Sequence, residues 1–162
     1  MKLINLLKKQ EELDMKIHQS KNIEYDIQKV RLAFYVELGE LANEWQMFKY
    51  WKENKNTNRA KMLEEYSDCL HFALSIENYY YKNIDDSIVQ QGWLEYYKKL
   101  PLLVNIIEGG SVYDLYLKCF TQDYTILDIL QLGVKLGFSL EEIENAYNTK
   151  NKINYDRLNN NY

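Results

Sequence analysis

The 162-residue chain contains one proline and six glycines. With so few breakers, and only Leu100-Pro101 interrupting its middle, the sequence is suited to long helices. Cysteine and histidine are as scarce, with Cys69 and Cys119 the only thiols and His18 and His71 the only imidazoles. Two thiols so far apart make no disulfide framework, and the four residues together do not have the spacing of a zinc site. Positive charge is not in excess either: 20 Lys and Arg stand against 24 Asp and Glu, a formal charge of −4. That balance excludes the electrostatic footprint of a general DNA or RNA binder. Long apolar runs are missing as well. The opening MKLINLLKKQEELD turns charged too early for a secretory apolar region or a membrane span. The expectation is a cytoplasmic protein with neither a membrane nor a nucleic acid as partner.

What the chain does have is helical periodicity. Leu3, Leu6, Leu7, Gln10, Leu13, Asp14 and Ile17 form one stripe with two polar members, predicting a first helix from Leu3 to Ile17. After a polar break from Ser20 to Glu24, a second stripe runs through Ile27, Val30, Phe34, Leu38, Leu41, Trp45 and Phe48. It predicts an amphipathic helix from Asp26 to about Trp51. The segment KENKNTN reads as a solvated loop before a third helix, Ala60 to Tyr80, which is apolar on nearly every side and therefore central. Further helices are expected at Asp86 to Leu100, Leu102 to Glu108, Ser111 to Phe120 and Thr125 to Leu136, with Gly109 and Gly137 at C′ positions. Ser139 and Glu142 form a capping box that opens a last helix reaching about Ile153. The polar NYDRLNNNY that follows is expected to be poorly ordered. No period-2 strand, internal repeat or linker interrupts the pattern, so residues 1–162 read as a single all-α domain, a helical bundle.

Several carboxylates sit where such a bundle would not place them for solubility alone. Glu37 and Glu40 are one turn apart beside the apolar stripe of the second helix, and Glu44 extends the row. Glu65 and Asp68 repeat the spacing on the nearly apolar third helix, where a carboxylate is costly unless compensated. Two antiparallel helices facing these pairs toward each other would gather four negative charges into one small volume. Hard divalent ions with oxygen ligands, Mg²⁺ or Mn²⁺, relieve that repulsion and commonly bridge carboxylates to a phosphate chain. The alternatives are a solvated acidic face, or pairing with Lys49, Lys52 or Lys61, which are close in sequence. A di-iron bundle is excluded on ligand count: Asp68-x-x-His71 could supply half a site, but His18 has no carboxylate three residues before it. His71 is then either a satisfied core histidine or a nucleoside contact beside the metals. Near the C-terminus Tyr147, Lys150, Asn151, Asn154 and Arg157 share one broad helical face, with the cations and amide donors that hold an oligophosphate.

Taken together, four blocks resemble the all-α dimeric dUTPases, relatives of the MazG-like nucleotide pyrophosphohydrolases. They are QEELDMKI (10–17), ELGELANEWQMFKYWK (37–52), LEEYSDCLHFALSI (63–76) and AYNTKNKINYDRLNNNY (146–162). The resemblance implies Mg²⁺-dependent hydrolysis of dUTP to dUMP and pyrophosphate by a homodimer. It implies that Glu37, Glu40, Glu65 and Asp68 bind the metal, and that Lys150, Asn151, Arg157 and Tyr147 hold phosphate. Gln10, Asp14, Trp51, His71 and Asn154 would surround the deoxyuridine. Within that scheme Glu40 is the carboxylate placed to take a proton from the attacking water. The rival expectations are a related pyrophosphohydrolase acting on another dNTP, and a helical interaction module without turnover. Residues 83–137 match no motif and are expected to form a dimer interface or lid, because their apolar helices exceed what one copy covers.

Overall fold

The computed structural model describes residues 1–105 and 110–160. They form seven helices and, among the described residues, no strand: α1 Leu3–Lys21, α2 Ile27–Trp45, α3 Arg59–Lys82, α4 Ser87–Leu103, α5 Val112–Cys119, α6 Ile126–Lys135 and α7 Leu140–Asn159. The all-α expectation holds. So does the central position of α3, which packs against α1, α2, α6 and α7. Its Tyr66, Leu70 and Leu74 are fully buried in one core with Phe34, Leu38 and Leu41 of α2 and Leu3 and Leu6 of α1. Each such side chain contributes about 1.5–3 kcal/mol by leaving water. Lys61 near the start of α3 pairs with Glu44 at the end of α2, 3.8 Å apart, and Arg31 near the start of α2 bonds the Tyr80 hydroxyl near the end of α3. The two helices are therefore antiparallel.

The ends of the helices differ from the expected ones for identifiable reasons. α1 continues to Lys21, because polar residues do not stop a helix; Asn22 does, in the left-handed conformation at φ 49°. α2 stops at Trp45 rather than near Trp51, because Gln46 turns left-handed at φ 60° while its N–H still bonds the Ala42 carbonyl. Residues 47–51 then fold into tight turns, including Lys49 N–H to Gln46 O at 2.9 Å. Pro101 does not divide two helices. Tyr97, Leu100 and Val104 remain buried on one face across it, so α4 carries the proline in its last turn, and Val104 N–H bonds Leu100 O at 3.1 Å. The helix expected from Leu102 thus begins inside α4, and its remainder, with Gly109, lies outside the described residues.

Gly137 occupies the expected C′ position at φ 94°. Its N–H bonds Val134 O at 3.0 Å and the Phe138 N–H bonds Gly133 O at 3.1 Å, a Schellman closure of α6. The Ser139–Glu142 capping box opens α7 as expected. Beyond Ile153 the polar end continues as helix to Asn159.

Candidate metal centre and nucleotide cavity

The α2–α3 seam explains where the carboxylates lie. Glu37 precedes buried Leu38 and Glu40 precedes buried Leu41; Glu65 precedes buried Tyr66 and Asp68 precedes buried Cys69. An acidic residue one position before each core residue falls on the rim of the packed stripe, so both pairs lie along the same seam. Ligand oxygens of Glu37, Glu65 and Asp68 come within 4.8 Å of one another. Glu40 lines the same cavity but is exposed and stands outside that group of three. A cluster of hard oxygen donors with this separation could hold a divalent metal ion.

Crowding leaves its mark on the cluster. Burial, reinforced by Asp68, Glu40 and Glu65, pushes the Glu37 carboxyl up to about 7. Burial likewise raises Glu65, with help from Glu40 and Asp68. Asp68 also lies above the usual carboxylate range because of burial, although Lys150 opposes the shift. The compensating cation comes from none of the lysines near in sequence: Lys61 pairs with Glu44, and Lys49 lies 5.3 Å from the Phe48 ring centroid. It is Lys150 of α7, whose Nζ is 2.7 Å from Asp68 and 3.5 Å from Glu64. Against the penalty of its own burial, the bond and charge of Asp68 hold this ammonium above its ordinary value.

The carboxylates line a cavity of about 540 Å³. Lys150, Asn154 and Arg157 reach it from α7, and Gln10 and Asp14 from α1; His71, Phe72 and Ser75 line it from α3. Ten of the thirteen residues expected from sequence therefore share one cavity. Trp51 is not among the lining residues; it is 62% exposed in the turns after α2, edge-on to Phe48 and Tyr50. Asn151 is also outside the lining, with its amide nitrogen buried. Tyr147 is fully buried, four residues after buried Ile143 on the inward face of α7, and reaches α1 instead. Sequence reasoning passed over Glu64, Phe72, Ser75 and Lys21. The first three adjoin or lie within the quoted third block, whereas Lys21 became available only because α1 is longer than its apolar stripe.

Away from the Glu37, Glu65 and Asp68 cluster, the cavity walls are held by side-chain hydrogen bonds. Gln10 Nε2 donates to Asp14 Oδ1 at 2.8 Å and to Ser75 Oγ at 3.1 Å. Burial raises Asp14, while these neighbouring groups work the other way. Burial lowers His71 to about 4, so its imidazole is neutral near pH 7. A second cavity of about 350 Å³, walled by Tyr25, Tyr79 and His18, shares Asp14 and Ser75 with the first.

In comparisons with known proteins, a family model described as dUTPase matches residues 2–162. No curated protein matches the chain. Among the described residues no helix is long and apolar enough to cross a membrane.

Proposed function

The chain belongs to the all-α dUTPase family and is a dUTP diphosphatase, and from that premise we propose how its cavity acts on the substrate. Glu37, Glu65 and Asp68 hold a divalent cation, Mg²⁺ or Mn²⁺, with Glu40 completing the acidic wall. When bound, this ion supplies the positive charge that a phosphate chain needs while one of its anhydride bonds breaks. Lys150 and Arg157 bind the phosphate oxygens. Glu40, the exposed member of the four acids, takes the proton of the attacking water. Gln10, Asp14, His71 and Asn154 face the deoxyuridine, and Phe72 offers a ring surface beside them. The products are dUMP and pyrophosphate.

The observation that carries this reading is the shared cavity. Three clustered carboxylates, two cations from α7 and a polar wall from α1 and α3 occupy the same 540 Å³ space. A uracil offers one N–H and two carbonyls, and a wall of fixed amide, carboxyl and imidazole groups rejects a base with the opposite pattern by leaving its own groups unpaired. The test is a panel of dNTPs with and without Mg²⁺, with products separated as nucleotide and pyrophosphate. Conversion of dUTP far ahead of dCTP and dTTP, abolished by EDTA, is expected. Equal rates across the panel would assign the cavity to a less selective pyrophosphohydrolase, and full activity in EDTA would remove the metal role.

We further propose a homodimer acting in the cytoplasm. Ile88 is 79% exposed, Leu102 71% and Leu117 68%. Apolar side chains left in water at this level, on helices that contribute little to the cavity, favour a two-fold partner. The two cysteines are free and buried, in keeping with a reducing compartment. A monomer mass by light scattering at micromolar protein would refute the dimer.

A further inference from the structure

Tyr147 does not line the cavity, yet it touches two residues that do. Its ring stacks on His71 with centroids 4.2 Å apart and planes 17° from parallel. Its backbone carbonyl lies 3.3 Å from His71 Nε2. A carbonyl can only accept, so Nε2 carries the proton and the neutral ring keeps Nδ1 as an acceptor. That Nδ1 is buried and has no hydrogen-bond partner among the described residues. At the other end, the Tyr147 hydroxyl donates to Gln10 Oε1 at 3.1 Å, with the Leu6 carbonyl at 3.3 Å as a second acceptor.

The bond from the phenol and the bond to Asp14 agree on one setting of the Gln10 amide. With Oε1 held by the phenol, Nε2 faces Asp14 and Ser75, where it donates to both. The reverse amide would set its oxygen against the Asp14 carboxyl, acceptor against acceptor in a buried place. A single buried residue of α7 therefore orients groups on α1 and α3 together.

We propose, taking the dUTP reading as given, that Tyr147 is a positioning residue that sets the donor and acceptor polarity of the nucleoside end. Its carbonyl fixes the His71 tautomer, and its hydroxyl ties the Gln10 oxygen and so steadies the amide that donates to Asp14. The result is a wall that presents acceptors, His71 Nδ1 and the Asp14 carboxyl, to the hydrogen-bond donors of a deoxyuridine.

Tyr147→Phe separates the two links, since it keeps the ring, the stack and the carbonyl and removes only the hydroxyl. The expected outcome is a KM for dUTP raised about fivefold, the effect of one lost hydrogen bond, with a smaller change in kcat and a reduced ratio of kcat/KM for dUTP over dCTP. Mn²⁺ affinity in the absence of nucleotide should not move, because the carboxylates are untouched. ¹⁵N shifts of His71 should still report the Nε2–H tautomer. Gln10→Leu, which breaks the same link from the other side, should reproduce the loss of discrimination. An unchanged dUTP-to-dCTP ratio in both variants would overturn the proposal, as would an equal loss for every nucleotide or an Nδ1–H tautomer in the parent protein. Failure of the dUTP reading itself would be seen separately, in the parent protein's own nucleotide panel.

Discussion

Lys150 occupies the place that a metal ion would contest, and removing it should tighten metal binding in the absence of nucleotide. The pair with Asp68 is close, 2.7 Å, and its two side chains are only 13% and 16% exposed. Coulomb's law at an effective dielectric of about 20 gives a gross attraction of roughly 6 kcal/mol at such a separation. Desolvation offsets most of that, and the net worth of a hydrogen bond between charged groups is about 1.5–3 kcal/mol. A cation entering among Glu37, Glu65 and Asp68 must break this bond. In Lys150→Met, which keeps much of the aliphatic stem, the bond is already gone, so the Kd for Mn²⁺ should fall by about 10- to 100-fold. Electron paramagnetic resonance of free Mn²⁺, or calorimetry without nucleotide, measures it directly. The affinity for the dUTP–metal complex should move the other way, because the lysine no longer meets phosphate. Mn²⁺ affinity that is unchanged or weaker in the variant would refute the reasoning and reduce Lys150 to an ordinary structural partner of Asp68.

Three further outcomes are expected. Glu37 has its carboxyl raised from 4.5 to about 7 in the folded protein without metal, so that state holds a proton the unfolded chain has lost between those values. The stability this confers is complete below about pH 4.5 and is lost as pH rises through 7, whereas metal affinity should climb up to pH 7 and then level off; a flat profile identical in Glu37→Gln would contradict the assignment. A Cβ at Gly133 would lie 2.5 Å from Cζ of Tyr66, a buried ring whose hydroxyl bonds Ile129 O at 2.9 Å. Gly133→Ala should therefore destabilise by about 1–3 kcal/mol despite the better helix propensity of alanine, and a melting temperature equal to or above the parent's would show that the ring yields freely. On α7 no described residue after Tyr147 is fully buried, so amides beyond Lys150 should exchange readily and gain protection with a non-hydrolysable dUTP analogue plus Mg²⁺; equal protection in both states would make this end fixed structure.

The amino-acid sequence by itself determined the class of the fold and pointed to most of the residues that line the cavity. The seven helices of the described residues were all expected from apolar spacing and capping residues, beside an eighth from Leu102 that begins inside α4, and both signals are local: Ser139 and Glu142 are three residues apart, and Gly137 needs only its own φ. The acidic pairs were legible for the same reason, since i, i+3 spacing beside a core stripe places both carboxylates on one rim. Helix ends set by a single left-handed residue were not legible, because Gln46 carries no composition signal for that conformation. Nor was the partner of Asp68. Charge compensation depends on distance in space, and the lysines near in sequence point elsewhere, while Lys150 arrives from α7. Tyr147 is the sharpest case. Its place in the C-terminal motif put it with the phosphate ligands, but the packing of α7 against α1 and α3 buries its ring and aims its hydroxyl at Gln10. A residue's type and spacing determine what it can do; only the packing of helices distant in sequence decides which group it meets.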